Sequence, residues 1–351
     1  MLTRYPDYYD QFQCLAGQCP DTCCGMWNIV VDSQSKARYD AMGGPLGDRL
    51  RAAMTVVDGE DCIVPVNGRC PMLTEDDLCT IILEKGTDCL CTTCNEHPRF
   101  TEIYGGLQEV TLALSCPMAA NLLLNREEPL TFLTQTDDTP PEPNDLDADL
   151  FRVLMTSRET AIAIAQDRDC TMSDRLALLL CFADRLDRNL QNTSLCLTLC
   201  KCYCSAQYRR RQLIRIRRLR NFGTMTAARQ MLLAMEHLNP RFSMEVRELE
   251  KTDLEAHAIQ LEHLTVYYLY RWWLKAACDG YLWQQAAAAI VSVLCIAGLG
   301  RTMGSITDAA RLYAKEVEHN EDNLTILRRA MELPQFSRNR LLHILEVPHA
   351  I

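Results

Sequence analysis

The stretch CLAGQCPDTCCGMW, residues Cys14 to Trp27, places four cysteines within eleven positions. Cysteines spaced in this way can form disulfides, bind a metal or supply a reactive thiol. The chain has 351 residues and enough apolar side chains for a core, so disulfides are not needed for stability. Its beginning, MLTRYPDYYDQF, lacks the apolar segment of a secretory signal. We therefore expect a cytoplasmic protein with reduced thiols, which favours metal or redox chemistry.

Cysteine and charge are both concentrated in the first third of the chain. Eleven of the nineteen cysteines fall within residues 1–116. Residues 1–128 contain nine Lys and Arg against nineteen Asp and Glu, so 9 − 19 gives the whole net charge of −10, and the remainder balances at 27 against 27. An acidic region repels nucleic acid and attracts cationic partners. We expect no nucleic-acid partner, and the charge suits a lysine-bearing protein substrate.

The pattern along the chain predicts a mainly α protein with two parts. Residues 1–133 combine short apolar runs with Gly, Pro and Asp, which predicts a loop-rich cysteine-cluster domain with short strands and helices. Residues 134–149 are acidic and Pro-rich, as in an exposed linker. Residues 150–351 repeat apolar side chains at three- and four-residue intervals, which predicts an all-α domain. The longest apolar run, 286–299, is shorter than a membrane span, so we expect a buried helix and no membrane partner.

The cysteine spacing is irregular. It reads Cys14-x4-Cys19-x3-Cys23-Cys24, then Cys70-x8-Cys79-x11-Cys91-x2-Cys94, then Cys116, with Cys62 and Cys89 in between. Zinc ribbons use paired Cys-x2-Cys knuckles, and only one such knuckle is present, so the spacing favours an iron–sulfur cluster. Zinc remains an alternative, as does a role for some thiols as small buried hydrophobes. Nine candidate ligands exceed the four that one cluster needs. Either two metal centres exist, or some of the thiols pack in the core, act as resolving cysteines or take part in catalysis.

Five motifs together resemble one known family. They are RYPDYYDQFQC, CPDTCCGMW, GRCPMLTEDDLC, LCTTCNEHPRF and LALSCPMAANLLL. In this order they look like the flagellin lysine-N-methylase (FliB) family, and the resemblance covers residues 2–124. It implies methylation of lysine amines on flagellin, with S-adenosylmethionine as the donor and a 4Fe-4S cluster in the enzyme. The chain departs from the family in one place, since His97 precedes Pro98-Arg99 where a tyrosine is expected.

The resemblance also implies a set of metal ligands. Carried over position by position, they are Cys19, Cys23, Cys24, Cys70, Cys79, Cys91, Cys94 and Cys116, with Cys14 behind them. Three thiolates on the cluster would leave one iron open to chelate the amino and carboxylate groups of S-adenosylmethionine. Four thiolates would favour a structural or electron-transferring cluster.

Methyl transfer to lysine requires that the ammonium be attracted and then deprotonated, because its ordinary pKa is about 10.4. The candidates for catalysis are Tyr8, Tyr9 and Tyr104, which could accept a hydrogen bond or line the alkyl chain of the lysine, with ring packing as the alternative. Trp27 is a candidate for packing over the sulfonium of the donor, with core packing as the alternative. Nearby acidic candidates are Asp21, Asp76, Asp77 and Glu96, each of which can equally be a solvated surface carboxylate.

Three further features are given structural interpretations. The glycine pattern Gly298 to Gly304 lacks the following acidic strand of a nucleotide-binding fold, so we expect a helix end and loop. Cys196, Cys200 and Cys204 share a helical face and are expected to pack in the core. The arginine-rich stretch 209–220 is expected to be a solvated face, a protein-docking surface, or a holder of substrate carboxylates.

Two functions of other classes stay open beside the methyltransferase. One is a non-catalytic zinc- or iron–sulfur-binding adaptor or carrier that docks through its helical part. The other is a thiol redox enzyme that uses Cys23 or Cys24 as a thiolate.

Overall fold

The computed structural model describes residues 1–25, 27–217 and 223–345. Helices dominate it. They are α1 Ser33–Asp40, α2 Gly44–Ala53, α3 Thr80–Lys85, α4 Thr92–Glu96, α5 Pro117–Leu124, α6 Ala148–Ala165, α7 Met172–Asp187, α8 Thr193–Cys204, α9 Ala206–Ile216, α10 Thr226–Leu233, α11 Pro240–Arg247, α12 Ala258–Trp272, α13 Ala276–Asp279, α14 Leu282–Met303, α15 Ile306–Tyr313, α16 Glu321–Ala330 and α17 Arg338–Ile344. The strands are β1 Leu2–Pro6, β2 Ile29–Val30, β3 Met54–Val57, β4 Glu60–Ile63, β5 Arg99–Tyr104, β6 Leu107–Leu112 and β7 Phe132–Thr136. The expected mainly α class, with short strands near the N-terminus, is confirmed.

The chain forms two compact units. The cysteine-rich unit comprises Tyr8–Thr101 and Val110–Leu122. The helical unit comprises Met1–Asp7, Glu102–Glu109 and Leu123–Ile351. The chain therefore passes between them several times, whereas the sequence predicts two consecutive domains.

The cysteine-rich unit has a small core between short elements. Its sheet runs in the order β2-β4-β3, and the hairpin of β3 and β4 turns through Asp58 and Gly59, both with positive φ. A two-residue turn of this kind matches the twist of the flanking strands. The buried side chains share one cluster beside α1 to α4, and they are Ile29, Val31, Tyr39, Leu46, Leu50, Ile63, Cys70, Met72, Leu73, Ile81 and Cys91. Much of the remaining backbone is loop, as the sequence predicts.

The helical unit is built around α14. This helix packs against α7, α11, α12, α15 and α16. It is long and apolar enough to cross a membrane, but 83% of its most apolar window is buried inside the protein, as in the core helix of a soluble protein. The expectation of a buried helix at 286–299 is confirmed. Two of its glycines permit close packing, since a Cβ on Gly298 would lie 2.6 Å from Leu249 Cδ1 and one on Gly300 would lie 2.4 Å from Ile306 Cδ1.

The predicted linker 134–149 is only partly irregular. Its first three residues belong to β7, which pairs antiparallel with β1 from Leu2↔Thr136 to Pro6↔Phe132. Its last two belong to α6, where the Asp147 carboxylate accepts hydrogen bonds from the Asp149 and Leu150 amides. The long-range pairing with β1 overrides the local acidic, Pro-rich composition, and residues 137–147 alone lie outside helices and strands.

The glycine pattern at 298–304 ends a helix, as expected. Gly298 and Gly300 lie within the last turns of α14, and Gly304 terminates the helix in the left-handed conformation. Such a glycine at a helix end is a common stop signal, because it adopts positive φ without strain.

Candidate functional site

Three cysteines of the cysteine-rich unit lie at the starts of short helices. Cys79 directly precedes α3, Cys91 directly precedes α4, and Cys116 directly precedes the Pro117 that begins α5. The first backbone N–H groups of a helix have no partner within the helix, and they favour negative charge nearby. The sequence therefore places these thiols where thiolates are favoured. For Cys116 the sequence alone indicates this position, because Pro117 is typical of the first turn of a helix.

Five thiols form what we call the inner thiol group. Its members pack into or against the small core and act on one another's pKa, and they are Cys24, Cys70, Cys79, Cys91 and Cys94. Cys89 also packs against this core and is not counted among them. The backbone joins two segments of this group, since the Cys70 amide donates to the Cys24 carbonyl at 2.8 Å. Cys24 is the common neighbour, because its charge raises the pKa of Cys70, Cys79 and Cys94.

Burial determines the protonation state of two members of the inner thiol group. Burial raises the pKa of Cys70 to about 11, and the backbone amide of Met72 opposes this. Burial also raises the pKa of Cys79, while the amides of Ile82 and Ile81 at the start of α3 lower it. These thiols are neutral at physiological pH unless a cation compensates the thiolate charge.

Cys91 and Cys94 form a close pair within this group. The hydrogen bond with Cys94 lowers the pKa of Cys91 to about 7, although burial opposes it. The same contact, followed by burial, raises the pKa of Cys94 well above the ordinary thiol value. One thiolate thus forms readily near neutral pH, whereas the second needs a positive charge beside it.

Four further thiols form what we call the outer thiol group, namely Cys14, Cys19, Cys23 and Cys116. Burial raises the pKa of Cys116, and the charges of Cys19 and Cys14 raise it further. The pKa of Cys23 is raised by its hydrogen bond with Cys24, by burial, and by the charges of Cys24, Cys14 and Cys116. The electrostatic contacts therefore link these four to one another.

The adjacent cysteines Cys23 and Cys24 connect the two groups. Their Sγ atoms lie 4.0 Å apart. The hydrogen bond with Cys23 lowers the pKa of Cys24 to about 7, so this pair also loses one proton readily. Cys24 belongs to the inner thiol group and Cys23 to the outer, a division that sequence spacing does not reveal.

The donor set suits an iron–sulfur cluster in its chemistry. Thiolates are the usual ligands of such clusters, and helix N–H groups and apolar burial are the surroundings that tune them. Among residues 1–25, 27–217 and 223–345, no three His, Cys, Asp or Glu side chains are arranged to hold a single metal ion. The thiols of both groups interact with one another in pairs, such as Cys23 with Cys24 and Cys91 with Cys94.

An aspartate that the sequence reasoning missed anchors this region. Asp32 caps α1 by accepting from the Ser35 amide at 2.9 Å, and its other oxygen accepts from the Thr92 amide and hydroxyl, each at 2.9 Å. Thr92 directly follows Cys91, so Asp32 fixes the start of α4. The signal for the α1 cap was an Asp before a helical segment, whereas the bond to Thr92 joins residues sixty positions apart.

A second anchor is Tyr39. Its buried ring lies in the core, and its hydroxyl donates to the Cys89 carbonyl at 2.9 Å. Arg38 donates to the Leu90 carbonyl at 2.9 Å. Together these contacts hold the loop before Cys91.

The aromatic candidates occupy different places. Trp27 packs against the small core, with its ring centroid 5.8 Å from that of His97, so the interpretation as core packing is favoured. Tyr8 is buried, and the Tyr9 hydroxyl accepts from Arg99 Nε at 3.1 Å. Tyr104 belongs to the helical unit, where its ring lies 5.8 Å from Phe151. The structure thus assigns Tyr104 and the two thiol groups to separate units.

Of the acidic candidates, Asp77 acts on a thiol of the inner group, because its charge opposes the lowered pKa of Cys24. Asp77 is ion-paired with Arg69, and Asp76 and Glu96 are exposed. The Asp21 backbone carbonyl accepts from the Cys19 thiol at 3.5 Å. The interpretation as surface carboxylates is favoured for Asp76 and Glu96.

The cysteines of α8 behave largely as expected for a core stripe. Cys196 and Cys200 are buried, and the Cys196 thiol donates to the Asn189 carbonyl at 3.1 Å. Cys204 is exposed, because it lies at the last position of the helix. The arginine-rich stretch forms α9 as far as Ile216, and residues 218–220 of that stretch lie outside the described residues.

A protein-family comparison matches the helical part of the chain. Residues 158–344, just over half of the chain, match the model of the FliB lysine N-methylase C-terminal domain. The segment that carries the motif resemblance, residues 2–124, lies outside this match. No solved structure gives a significant match.

Curated relatives agree with this family. A "Lysine-N-methylase" of Salmonella choleraesuis is 27% identical over 154 residues, which cover 39% of this chain and 37% of that protein. The "Flagellar biosynthetic protein FliU" of Salmonella muenchen is 26% identical over 133 residues, which cover 34% of this chain and 75% of that protein. The chain thus spans little more than a third of the lysine-N-methylase it matches. On the family match to residues 158–344, this chain belongs to the FliB lysine N-methylase family.

Proposed function

We propose that this protein is an S-adenosylmethionine-dependent methyltransferase that modifies lysine side chains of flagellin in the cytoplasm and carries a 4Fe-4S cluster. The observation that carries the proposal is family membership through residues 158–344. The names of the relatives support lysine as the methylated residue and a flagellar context for the substrate.

The inner thiol group supports the cluster in this proposal. Cys24, Cys70, Cys79, Cys91 and Cys94 supply more thiols than one cluster needs, and the Cys91–Cys94 pair provides the most easily formed thiolate. A 4Fe-4S cluster bound by three of these thiolates would supply an open iron for the amino and carboxylate groups of the methyl donor. Cys19, Cys23 and Cys116 are further candidate ligands, from the outer thiol group.

The protein itself has two tasks in this reaction. It must attract a lysine ammonium, and residues 1–128 carry the entire net charge of −10, which favours approach of a cationic side chain. It must also accept a proton, because only the neutral amine attacks a methyl group. Tyr8, Tyr9 and Tyr104 stay predictions for that step, and Trp27 stays a prediction for contact with the donor.

Anaerobic purification with iron, sulfide and zinc analysis tests the cofactor. We expect about four iron and four sulfide per chain. Cys91→Ala and Cys94→Ala should remove most of the iron, whereas Cys62→Ala, a buried cysteine of β4 outside both thiol groups, should retain it. Stoichiometric zinc without iron would contradict the cluster.

Incubation with purified flagellin and methyl-labelled S-adenosylmethionine tests the reaction. Label on lysine, located by mass spectrometry, is the expected result. Bound iron with no binding of S-adenosylmethionine would favour the adaptor or carrier instead. Loss of a thiol-dependent reduction only in Cys23→Ala or Cys24→Ala, with iron retained, would favour the redox enzyme.

A further inference from the structure

Helix α9 in the helical unit presents one face inward and another to solvent. Leu213 and Ile216 are buried. Arg209 donates to Asp167 at 2.8 Å and Arg217 donates to Asp174 at 2.7 Å, so both ends of the helix are fixed by ion pairs. Its orientation is therefore determined by the helical unit itself.

The opposite face is strongly cationic. Its exposed residues follow the spacing i, i+3, i+4, i+7 and i+8 of one helical stripe, and they are Gln207, Arg210, Arg211, Ile214 and Arg215. We call this stripe the α9 arginine face. Ile214 in its centre is 55% exposed.

The three arginines of this face have no hydrogen bond or ion pair with any residue in the described parts of the chain. The nearby acids Asp167 and Asp174 are already paired with Arg209 and Arg217. Arg211 and Arg215 stand at i and i+4, where like charges repel and destabilise a helix. A feature that opposes local stability without a compensating contact is a candidate for function.

We propose that the α9 arginine face is a docking surface for an acidic segment of the protein substrate. This inference rests on the proposed function for the identity of the partner as a protein substrate. Arginines bind carboxylates in a bidentate geometry, and Ile214 adds an apolar contact at the centre of the stripe. The face would thus hold the substrate through its carboxylates.

Charge complementarity favours protein over nucleic acid as the partner. Nucleic-acid-binding proteins neutralise phosphates with a large cationic surface, whereas residues 129–351, which include α9, balance at 27 Lys and Arg against 27 Asp and Glu, and residues 1–128 carry the net charge of −10. A single cationic stripe on a protein of net negative charge suits a short acidic segment of a partner protein, because the rest of that partner's surface need not be anionic.

Fluorescence anisotropy with defined probes tests the face. The probes are a labelled peptide of alternating glutamate and serine, a labelled peptide of alternating lysine and serine, and a labelled single-stranded oligodeoxynucleotide. The full chain should bind the acidic peptide and not the lysine peptide, with an affinity that falls as sodium chloride rises from about 50 to about 300 mM. Replacement of the three arginines in R210Q/R211Q/R215Q should weaken acidic-peptide binding about tenfold.

A matched triple variant controls for total charge. R247Q/R329Q/R340Q removes three exposed arginines from α11, α16 and α17, and it should bind the acidic peptide as the unmodified chain does. Thermal unfolding of both triple variants checks that each is folded. Equal affinity of the two variants, or no binding by the unmodified chain, would overturn the proposal. Tighter binding of the oligonucleotide than of the peptide would also overturn it, in favour of a phosphate-binding face.

Methyl transfer gives an independent readout. If flagellin is the substrate, R210Q/R211Q/R215Q should raise its KM about tenfold and leave kcat unchanged. Absence of methyl transfer by the unmodified chain would reject the proposed function, and peptide binding would still decide whether the face recognises acidic segments.

Discussion

The two units hold their charged and reactive groups in different ways. In the helical unit, buried charges are paired within the protein, as in the contact of Arg158 with both carboxylate oxygens of Glu109 at 2.6 and 2.5 Å. Glu262, also buried, accepts from Arg168 and Arg175. In the cysteine-rich unit, the inner thiols interact with one another and with backbone amides, and two arginines act on them through their charge, since Arg69 lowers the pKa of Cys24 and Arg49 opposes the raised pKa of Cys70. The helical unit thus pairs these buried charges directly, whereas burial of Cys70 outweighs the charge of Arg49 and keeps that thiol neutral.

The difference extends to the cores. The helical unit packs long amphipathic helices around α14, whereas the cysteine-rich unit has a small core among loops and short helices. Small cores supply little stability without a further constraint such as a metal. The comparison therefore predicts that metal stabilises the cysteine-rich unit, whereas helix packing stabilises the helical unit.

Metal removal should have the largest effect. Treatment of the purified metal-bound protein with an iron chelator should destabilise the cysteine-rich unit by several kcal/mol, because metal binding is coupled to folding where the core is small. Hydrogen exchange read by mass spectrometry should show lost protection in residues 27–101 and retained protection in α6 to α17. Equal loss in both units would contradict this division.

Removal of one buried charge should come next. Glu109→Gln leaves Arg158, which is 0% exposed, without a counter-charge, and we expect a loss of about 3 to 5 kcal/mol in the free energy of unfolding. Urea denaturation measures it. The control is Asp149→Asn in the exposed pair with Arg152, where a loss of less than about 1 kcal/mol is expected. Similar losses in both variants would show that burial of the pair is not decisive.

Cysteine substitutions should have a smaller effect on the free energy of unfolding. The amount of bound iron in each variant should show which unit binds the metal. Cys196→Ala removes a buried thiol that donates to the Asn189 carbonyl, with an expected loss of about 1 kcal/mol and unchanged iron. Cys70→Ala in the inner thiol group should lower bound iron. Iron analysis and urea denaturation of both variants measure the outcome, and iron loss in Cys196→Ala would place a ligand in the helical unit.

The smallest effect should be the acid response of one ion pair in the helical unit. Partial burial raises the pKa of Asp7, but hydrogen bonds from Arg126 and Thr131 and the charge of Arg126 outweigh it, so the net pKa is lowered. Because the pKa of Asp7 is lower in the folded state, its carboxylate contributes fully to the free energy of unfolding above the ordinary Asp pKa of about 3.9. This contribution is lost as the pH falls through the pKa of Asp7 in the folded state.

Thermal unfolding from about pH 3 to pH 6 compares the unmodified chain with Asp7→Asn. The difference in Tm should be constant above about pH 4 and shrink below it. A difference that grows on acidification would reverse the sign of this contribution.

Periodicity gave most of the helical unit in advance. Apolar side chains at three- and four-residue intervals predict helices at 149–166 and 173–190, and α6 and α7 occupy these segments within about three residues at each end. The same pattern predicts a helix at 306–319, but the α-helix there changes to a π-helix at Ala314–Glu318. That change accompanies buried carboxylates, since Glu318 accepts from the Tyr268 hydroxyl at 2.8 Å, a contact no local pattern encodes.

The site was predictable in its residue types and only partly in its grouping. Cysteine count and reduced state pointed to metal chemistry, and Cys91-x2-Cys94 was visible as a knuckle. The assignment of Tyr104 to the helical unit was not visible, because it depends on β6 pairing parallel with β1 over residues more than a hundred positions apart.

The sequence by itself determined the helical periodicity, the excess of thiols and the acidic charge of the first third, since these are properties of residue type and order. The tertiary structure alone decided which thiols are neighbours, that Cys24 belongs with Cys70, Cys79, Cys91 and Cys94, and that Cys23 belongs with Cys14, Cys19 and Cys116. The physical reason is that local patterns fix which face of a helix or strand a residue occupies, whereas the distance between two thiols depends on how distant segments pack around a shared core.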